Sequence, residues 1–431
     1  MVGHNGPNSG TSNRISRRAF VASGVAASAV GLAGCLGEDG GEGGLTIGFY
    51  GPMTGPADDI GEHKQDAVNL AVDIINDDGG VGGEEIEVVF GDSESEPSSG
   101  VNAVERLIQN DNADVIGGGF HSDVALSTVE VTHREGVPQI IDEAVSAEIV
   151  EKINEDELWN VFKTAPPSES YAVGWQDLIQ DFEEEEIGYF PYDDQEIALI
   201  SEDTSYGLSI MDLMEDALDE IGWEVTSEDE VALDETDFTS LLARIEDDDP
   251  DIVWSVQTST SGTANLIEQF SEAGFEETHL FDNFGLSNPA AVEAAGDPSD
   301  GVITLANAGP NEETLSEWDA LERWEDEHGD EMLWGSGTLA FQNIIIIAQY
   351  VEAMGGPEDF REASIEEWTE TVLEHDPIPG GTGYISFEDN HQAAWGTVDD
   401  QPPIGFQILD QEMNVVWPWE IAEEEVNEDI Y

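Results

Sequence analysis

The stretch LTIGFYGPMTGP at residues 45–56 decides the fold class. Its first half is an apolar run with the length of a buried strand, and its second half is a turn rich in glycine and proline. A helical pattern follows, whose apolar residues share one face: Ala67, Leu70, Ala71, Ile74 and Ile75. Asp78, Gly79 and Gly80 end this helix. A buried strand followed by an amphipathic helix is the pair of elements from which parallel α/β sheets are built.

The same alternation continues along the chain. It predicts strands at 86–90, 114–117 and 137–141, with helices at 97–109 and 122–134. After Pro166 and Pro167 the pattern restarts, with helices at 168–182, 205–221 and 238–247 and strands at 196–200, 224–231 and 251–255. Helices dominate 313–374, and short β segments close the chain near 406–409 and 415–417. The sequence therefore predicts an α/β protein with two Rossmann-like lobes, each built on a parallel sheet.

The composition limits the possible partners. The 431 residues include 97 Asp and Glu against 11 Lys and Arg, a formal net charge of −86. Such a negative chain excludes nucleic-acid binding, which needs a basic surface. Hydrophobic residues make up 39% of the chain, with 11 Trp and 16 Phe, so we expect a folded protein with a sizeable core. Repulsion among so many negative charges must be screened by dissolved ions, which favours a protein adapted to molar salt.

The first residues have the pattern of an export signal. Arg17 and Arg18 precede an apolar run at 21–33, and no acidic residue occurs before Glu38. The run is too short to span a membrane but has the length and flanks of a signal-peptide core. We interpret residues 1–34 as a twin-arginine export signal.

Cys35 is the single cysteine of the chain. It follows Leu-Ala-Gly at the end of the apolar run, a sequence that resembles the lipobox of lipoproteins. We therefore expect Cys35 to carry lipid, with residues 35–44 as a flexible acidic tether. The alternative is a plain signal followed by a free thiol.

The sequence lacks the motifs of common enzyme classes. It contains no G-x-S-x-G, H-E-x-x-H or G-x-x-x-x-G-K-[ST] pattern, and it has only three lysines. The acidic run at 247–251 opens like a calcium loop, but Ile252 occupies the position that requires glycine. The eight histidines show no i, i+4 pair. We therefore predict no catalytic residues, no metal site and no cofactor.

Four short motifs resemble those of one family of binding proteins. Residues 51–56 resemble its opening G-x-[ML]-[ST]-G-P turn, and residues 76–83 its I-N-x-x-G-G-x-x-G loop. Residues 203–207 resemble its D-x-x-Y-G motif, and residues 237–242 its D-F-[ST]-x-L-[VL] helix start. From about residue 45 to 422 the chain is thus similar to the Leu/Ile/Val-type, class I solute-binding proteins of ABC importers. Its acidity and export signal suggest a halophilic archaeal type.

This resemblance implies a class I periplasmic-binding-protein-like architecture, with the ligand between two lobes joined by a three-crossing hinge. The crossings are expected near Thr164, Asn307 and Ile385. Lobe 1 would then comprise residues 45–163 and 308–385, and lobe 2 residues 164–307 and 386–431.

On lobe 1 the resemblance implies two ligand loops. In the first, three glycines let the backbone approach a ligand, and Phe120, His121 and Ser122 follow. Ser122 is either a ligand-binding hydroxyl or a helix N-cap, and His121 faces either the cleft or solvent. The second loop carries Glu143 and Ala144, where the family has small, hydroxylated residues. A carboxylate inside the cleft would favour a cationic group on the ligand, and the alternative is that it faces solvent.

On lobe 2 the resemblance implies that Tyr206 covers the ligand, with core packing as the alternative. Thr258, Asp282 and Phe284 fall in the other ligand loops of this lobe. The family has an ammonium-pairing Glu near the position of Phe284, which this chain lacks, although Asp282 lies two residues earlier. Branched-chain or other amino acids, short amides, urea-like solutes and aromatic compounds therefore all stay open as ligands.

The resemblance also implies partners and a location. We expect a monomer on the extracellular face of the cytoplasmic membrane, anchored through the lipid on Cys35, that delivers a small solute to ABC permease subunits. The alternative is a sensory protein of the same fold that presents its ligand to a chemotaxis or signalling receptor. An extracellular hydrolase is a third, weaker possibility.

Removal of salt should unfold the protein, because a net charge of −86 is tolerable only when counterions screen it. Circular dichroism in a dilution series from molar to millimolar potassium chloride should show loss of the helical signal. A fully native spectrum at millimolar salt would contradict this expectation.

Overall fold

The computed structural model describes residues 43–187, 190, 192, 194–275, 278–329, 331–397, 400–422 and 426–427. The predicted export signal, Cys35 and most of the tether lie outside the described residues. Within the described ranges, no helix has both the length and the apolar character needed to cross a bilayer.

Lobe 1 is built on a five-stranded sheet. Its strands alternate with helices in the order β1 (Thr46–Gly51), α1 (Asp58–Asp77), β2 (Glu87–Asp92), α2 (Pro97–Gln109), β3 (Val115–Gly118), α3 (Ser122–Glu135), β4 (Gln139–Ile141), α4 (Ala147–Glu155) and β5 (Val161–Lys163). The strand order is β2-β1-β3-β4-β5, and each neighbouring pair is parallel. Parallel neighbours require crossover connections, and the helices supply them.

Lobe 2 repeats this construction. Its elements are α5 (Ser168–Glu185), β6 (Glu196–Glu202), α6 (Ser205–Ile221), β7 (Glu224–Val231), α7 (Thr239–Asp248), β8 (Ile252–Val256), α8 (Thr260–Ala273), β9 (His279–Asn283), α9 (Pro289–Ala295) and β10 (Ile303–Ala306). These strands lie side by side in the order β10-β9-β8-β6-β7, all parallel.

The chain then returns to lobe 1. It forms α10 (Glu312–Ser316), α11 (Ala320–His328), α12 (Gly335–Ala353), α13 (Pro357–Glu362), α14 (Ile365–Glu374), β11 (Ile378–Pro379) and β12 (Tyr384–Ile385). Helix α12 packs along α1 and against β3, and nearly all of its side chains are buried. Its apolar run at 344–347 is therefore part of the lobe-1 core.

The last two strands, β13 (Ile404–Leu409) and β14 (Glu412–Trp417), extend the lobe-2 sheet next to β10. The predicted α/β class with two lobes is confirmed, but this edge of the lobe-2 sheet is antiparallel rather than parallel. Asp410 and Gln411, both with positive φ, join the two strands as a tight hairpin. A two-residue hairpin can connect only antiparallel strands.

A buried amide on α12 fixes the ligand-facing edge of lobe 1. Asn343 Oδ1 accepts the N–H of Gly118 at 3.3 Å, and its Nδ2 donates to the carbonyl of Ile140 at 2.9 Å. One side chain thus ties together β3 and β4 close to their carboxyl ends. Both predicted lobe-1 ligand loops start immediately after these strands.

The third crossing lies later than the predicted residue 385. Phe387 and Ala393 pack in the lobe-1 core with Ile385. Gln392 forms an isolated bridge with Lys163 at the end of β5. The chain therefore enters the lobe-2 sheet only between residues 394 and 404, since these apolar side chains hold the preceding segment on lobe 1.

Buried polar side chains hold the crossings together. Lys163 is fully buried and donates to the carbonyl of Ala165 at 2.6 Å and to Gln392 Oε1 at 3.0 Å. Asn307, at the second crossing, donates to the carbonyl of Pro166 at 3.1 Å. Gln401, in the third crossing, donates to the carbonyl of Thr164 at 3.0 Å. All three crossings thus meet in one hydrogen-bonded cluster.

Candidate functional site

A small cavity lies between the two lobes, beyond the carboxyl ends of their parallel strands. The space in it that the centre of a water molecule can occupy is about 20 Å³, so the walls of the cavity lie close together. Its lining is a mixture of apolar and polar side chains: Phe120, His121, Glu143, Val145, Tyr171, Tyr206, Thr258, Phe284 and Asn307. The predicted residues Ser122, Ala144 and Asp282 do not line it.

Two glycines shape the first loop on lobe 1. Gly118 and Gly119 have φ values of +89° and +115°, which side chains other than glycine rarely adopt. A Cβ atom on Gly118 would lie 2.1 Å from the carbonyl oxygen of Tyr50. The chain therefore turns sharply after β3 and presents Phe120 and His121 to the cavity.

His121 lies in the cleft rather than in solvent. Its side chain is buried, and its Nε2 has no hydrogen-bond partner among the described residues. Burial lowers the pKa of His121 to about 4, so the ring is neutral at physiological pH. A neutral imidazole offers one donor and one acceptor to a ligand.

Glu143 is paired with a cation of the protein itself. Lys64 on α1 is fully buried, and its Nζ lies 2.6 Å from Glu143 Oε2 and 2.8 Å from Asp142 Oδ2. Ser336 at the start of α12 donates to Glu143 Oε1 at 2.5 Å. Both carboxylates are buried, and no motif predicted that Lys64 would lie behind them.

The titration of this cluster follows from burial and charge. Burial raises the pKa of Asp142 to about 6, and the nearby Lys64 ammonium opposes that shift. Burial alone would lower the pKa of Lys64, but the carboxylates of Asp142 and Glu143 outweigh it and hold that pKa above its usual value. Lys64 therefore stays protonated inside the protein.

Ser122 and Ala144 lie behind the cavity wall rather than in it. His121, not Ser122, occupies the N-cap of α3, and Ser122 Oγ accepts the N–H of Ser146 at 3.2 Å. Neither role expected for Ser122 is therefore found. Ala144 packs in the cluster between α3 and α4, and the next residue, Val145, lines the cavity in its place.

Tyr206 forms part of the lobe-2 wall. Asn283 Nδ2 donates to its hydroxyl at 3.1 Å, and Trp175 Nε1 donates to Asn283 Oδ1 at 2.8 Å. The Tyr206 ring lies 6.2 Å from that of Tyr171 and 6.3 Å from that of Phe284, both edge to face. Burial raises the pKa of Tyr206 well above its usual value, so the hydroxyl is protonated.

Thr258 is oriented by a buried acid. Glu202 Oε2 accepts both the N–H and the hydroxyl of Thr258, each at 2.8 Å, and Glu202 Oε1 accepts the hydroxyl of Thr204 at 2.9 Å. Because the hydroxyl proton of Thr258 is used by Glu202, its oxygen is left as an acceptor at the cavity wall. Burial raises the pKa of Glu202 to about 7, and the bonds from Thr258 oppose that shift.

Asp282, predicted in a ligand loop of lobe 2, lies beneath the cavity wall rather than in it. Its Oδ2 accepts the N–H of Leu286 and the hydroxyl of Thr304, both at 2.7 Å, beneath the cavity wall. These bonds tighten the turn in which Phe284 adopts a φ of +78°, an unusual value for a bulky residue. Asp282 therefore shapes the loop that carries Phe284.

Comparison with known proteins agrees with this geometry. Residues 44–396, most of the chain, match the family model described as periplasmic binding protein. The chain belongs to that family.

Individual relatives of this periplasmic binding protein are distant. Leu/Ile/Val-binding protein homolog 1 of Brucella abortus is 27% identical over 271 residues, covering 62% of this chain and 68% of that protein. A crystal structure assigned to a branched-chain amino acid ABC transporter of Silicibacter pomeroyi has a TM-score of 0.75 at 23% identity and covers 89% and 99% of the two chains. A solute-binding protein of an ABC transporter from R. palustris, in complex with benzoate, has a TM-score of 0.70 at 19% identity and covers 87% and 96%.

The two lobes of this periplasmic binding protein are in contact across the cleft. On lobe 1, Asp123 accepts the N–H and the hydroxyl of Ser205, at 3.1 and 2.6 Å. Asp59 accepts the hydroxyl of Thr260 at 2.7 Å and the amide of Asn288 at 2.5 Å. These bonds join lobe-1 carboxylates to the starts of lobe-2 helices, so the structure is the closed form of the protein.

Four contributors to the site were not predicted from sequence. Val145 and Tyr171 lie in none of the four motifs, although Tyr171 belongs to the helix with which the strand–helix alternation restarts after the first crossing. Asn307 was predicted only as a crossing residue. Lys64 could have been noticed as one of three lysines, because it interrupts the apolar face of α1.

Glu202→Gln should flatten the dependence of the free energy of unfolding on pH. Between about pH 4.5 and pH 7 folded Glu202 holds a proton that the unfolded chain has released, so stability falls as pH rises through this window. Removing this group should reduce the fall by up to about 1.4 kcal/mol per pH unit. Urea unfolding across this pH range, at constant molar salt, measures the free energy of unfolding.

The exposed neighbour Asp203→Asn is the matched control and should keep the wild-type slope. Equal slopes for Glu202→Gln and the wild type would show that Glu202 does not titrate in this window.

Proposed function

We propose that the protein is the lipid-anchored, monomeric solute-binding protein of an ABC importer, which captures a small polar solute between its lobes. The observation that carries this proposal is the small cavity that both lobes line, next to the hydrogen bonds that join the lobes. A cavity that both lobes line makes closure and ligand binding one event, because the ligand contacts both walls only in the closed form.

The walls favour a solute with an apolar body and a few hydrogen-bonding groups. Phe120, Phe284 and Val145 supply apolar surface, while Thr258 and His121 supply hydrogen-bonding atoms. Sites of this kind gain affinity from apolar burial and specificity from the polar groups. A branched-chain amino acid and a short amide have this character, as does the benzoate bound by the R. palustris protein. Other amino acids and urea-like solutes would rely more on the polar atoms of the wall.

Cys35 and the preceding signal support the location. A twin-arginine signal followed by a lipidated cysteine would hold the protein on the extracellular face of the cytoplasmic membrane. The tether at 35–44 would then leave the two lobes free to reach permease subunits in the same membrane.

Tyr206→Ala should weaken solute binding by tenfold or more, because it removes an aromatic wall and leaves Asn283 Nδ2 without its acceptor. The probe is the solute released from protein purified from its own host, identified by mass spectrometry and titrated back in calorimetry at molar salt. Asp248→Asn, at the exposed C-terminal end of α7, is the control and should bind normally. Unchanged binding by Tyr206→Ala would place the site elsewhere.

Cys35→Ser protein should leave the membrane and appear in the medium, because a single lipid-bearing residue is the proposed anchor. Fractionation of cells that express either form, followed by immunoblotting, measures the distribution. Retention of the variant with the cells at the wild-type level would rule out the lipid anchor while leaving solute capture intact.

A further inference from the structure

Lys64 is an unusual residue in this chain. It is one of three lysines in a protein with a net charge of −86, yet its side chain is fully buried on α1. Transfer of an ammonium group out of water is costly unless carboxylates pair with it. Here Asp142 Oδ2 at 2.8 Å and Glu143 Oε2 at 2.6 Å provide that pairing.

The ion pair lies directly behind the cavity. Glu143 and Phe120 line the cavity, whereas Lys64 and Asp142 do not. Lys64 Nζ is also 5.5 Å from the centroid of the Phe120 ring, a cation–π distance. One buried cation therefore contacts two neighbouring parts of the ligand-facing wall.

Both oxygens of Glu143 already accept a hydrogen bond from the protein. Lys64 donates to Oε2, and Ser336 donates to Oε1 at 2.5 Å. Each oxygen still has a lone pair for a further donor, but the ammonium 2.6 Å away, which Asp142 shares, offsets part of the negative charge of Glu143. Glu143 can thus accept a hydrogen bond from a ligand while giving a second ammonium less electrostatic gain than an unpaired carboxylate would.

We propose that Lys64 determines the charge specificity of the cleft: by pairing with Glu143 it makes the site select a solute that presents a neutral N–H or O–H donor there, and reject one that presents a cation. This inference rests on the proposed function, since it concerns the same solute site. It assigns Lys64 a positioning role, because Lys64 acts on the ligand through Glu143.

The geometry also identifies the change that should reverse the preference. In the double variant Lys64→Met with Asp142→Asn, one cation and one carboxylate disappear together. The formal charge of the cluster is the same as before, but Glu143 loses its ionic partner. An unpaired carboxylate at the wall should then bind a cationic ligand through a charge-assisted hydrogen bond.

Calorimetry in molar potassium chloride with matched amide and amidinium probes tests the proposal. Acetamide with acetamidinium, and benzamide with benzamidinium, have nearly the same shape within each pair and differ in charge. We expect the wild type to bind the amides about tenfold or more tightly than the amidiniums, and the double variant to reverse this order. Asp142→Asn alone keeps the Lys64–Glu143 pair and should keep the wild-type order.

Several outcomes would overturn the proposal. It fails if the wild type binds an amidinium as tightly as its amide, a comparison that needs no variant and so stands even where the double variant does not fold. It fails if the folded double variant keeps the wild-type order. It also fails if no probe binds while the solute recovered from the host still does, because a neutral donor then does not suffice. If the wild type shows no saturable binding of any solute, that result would instead contradict the proposed function.

Discussion

The binding geometry depends on one buried amide. Asn343 bridges Gly118 and Ile140, so the two strands that lead into the lobe-1 ligand loops are held at a fixed spacing. The same helix supplies Ser336 to Glu143, which ties the second loop to it as well. Buried polar groups that are fully paired rigidify their surroundings, since any shift leaves a donor or acceptor unsatisfied. A largely buried helix thus positions the polar part of the site through two side chains, Asn343 and Ser336.

Much of the fold could be predicted because local signals and tertiary structure agree. Helices 97–109 and 205–221 and strand 224–231 have the predicted bounds. Pro97 starts the first helix, while Thr204 caps the start of the second and Gly222 ends it. Helix α4 was not predicted, because it is short and acidic and buries only Ile149 and Ile153. The position of the third crossing could not be read from composition, because it depends on where Phe387 and Ala393 find apolar contacts.

The site was less predictable, and the reason is long-range pairing. Motif resemblance locates loops, so Phe120 and Tyr206 were found at the cavity. It does not say what lies behind a loop. Lys64 is 79 residues from Glu143 in sequence. Thr304, whose hydroxyl donates to Asp282, is 22 residues from it. In a chain with 97 acidic residues, the few carboxylates that are buried cannot be told from the many that are hydrated until their partners are known.

The contacts between the lobes have a further consequence for a protein with so large a net charge. Asp59 and Asp123 meet hydroxyl, amide and backbone N–H groups of lobe 2, and no ion pair crosses between the lobes within the described part of the chain. Concentrated electrolyte weakens attraction between opposite charges at a surface, but it has much less effect on short hydrogen bonds to neutral donors. The open and closed forms should therefore keep nearly the same balance as the ionic strength changes, even though the charges on the rest of the surface respond to it.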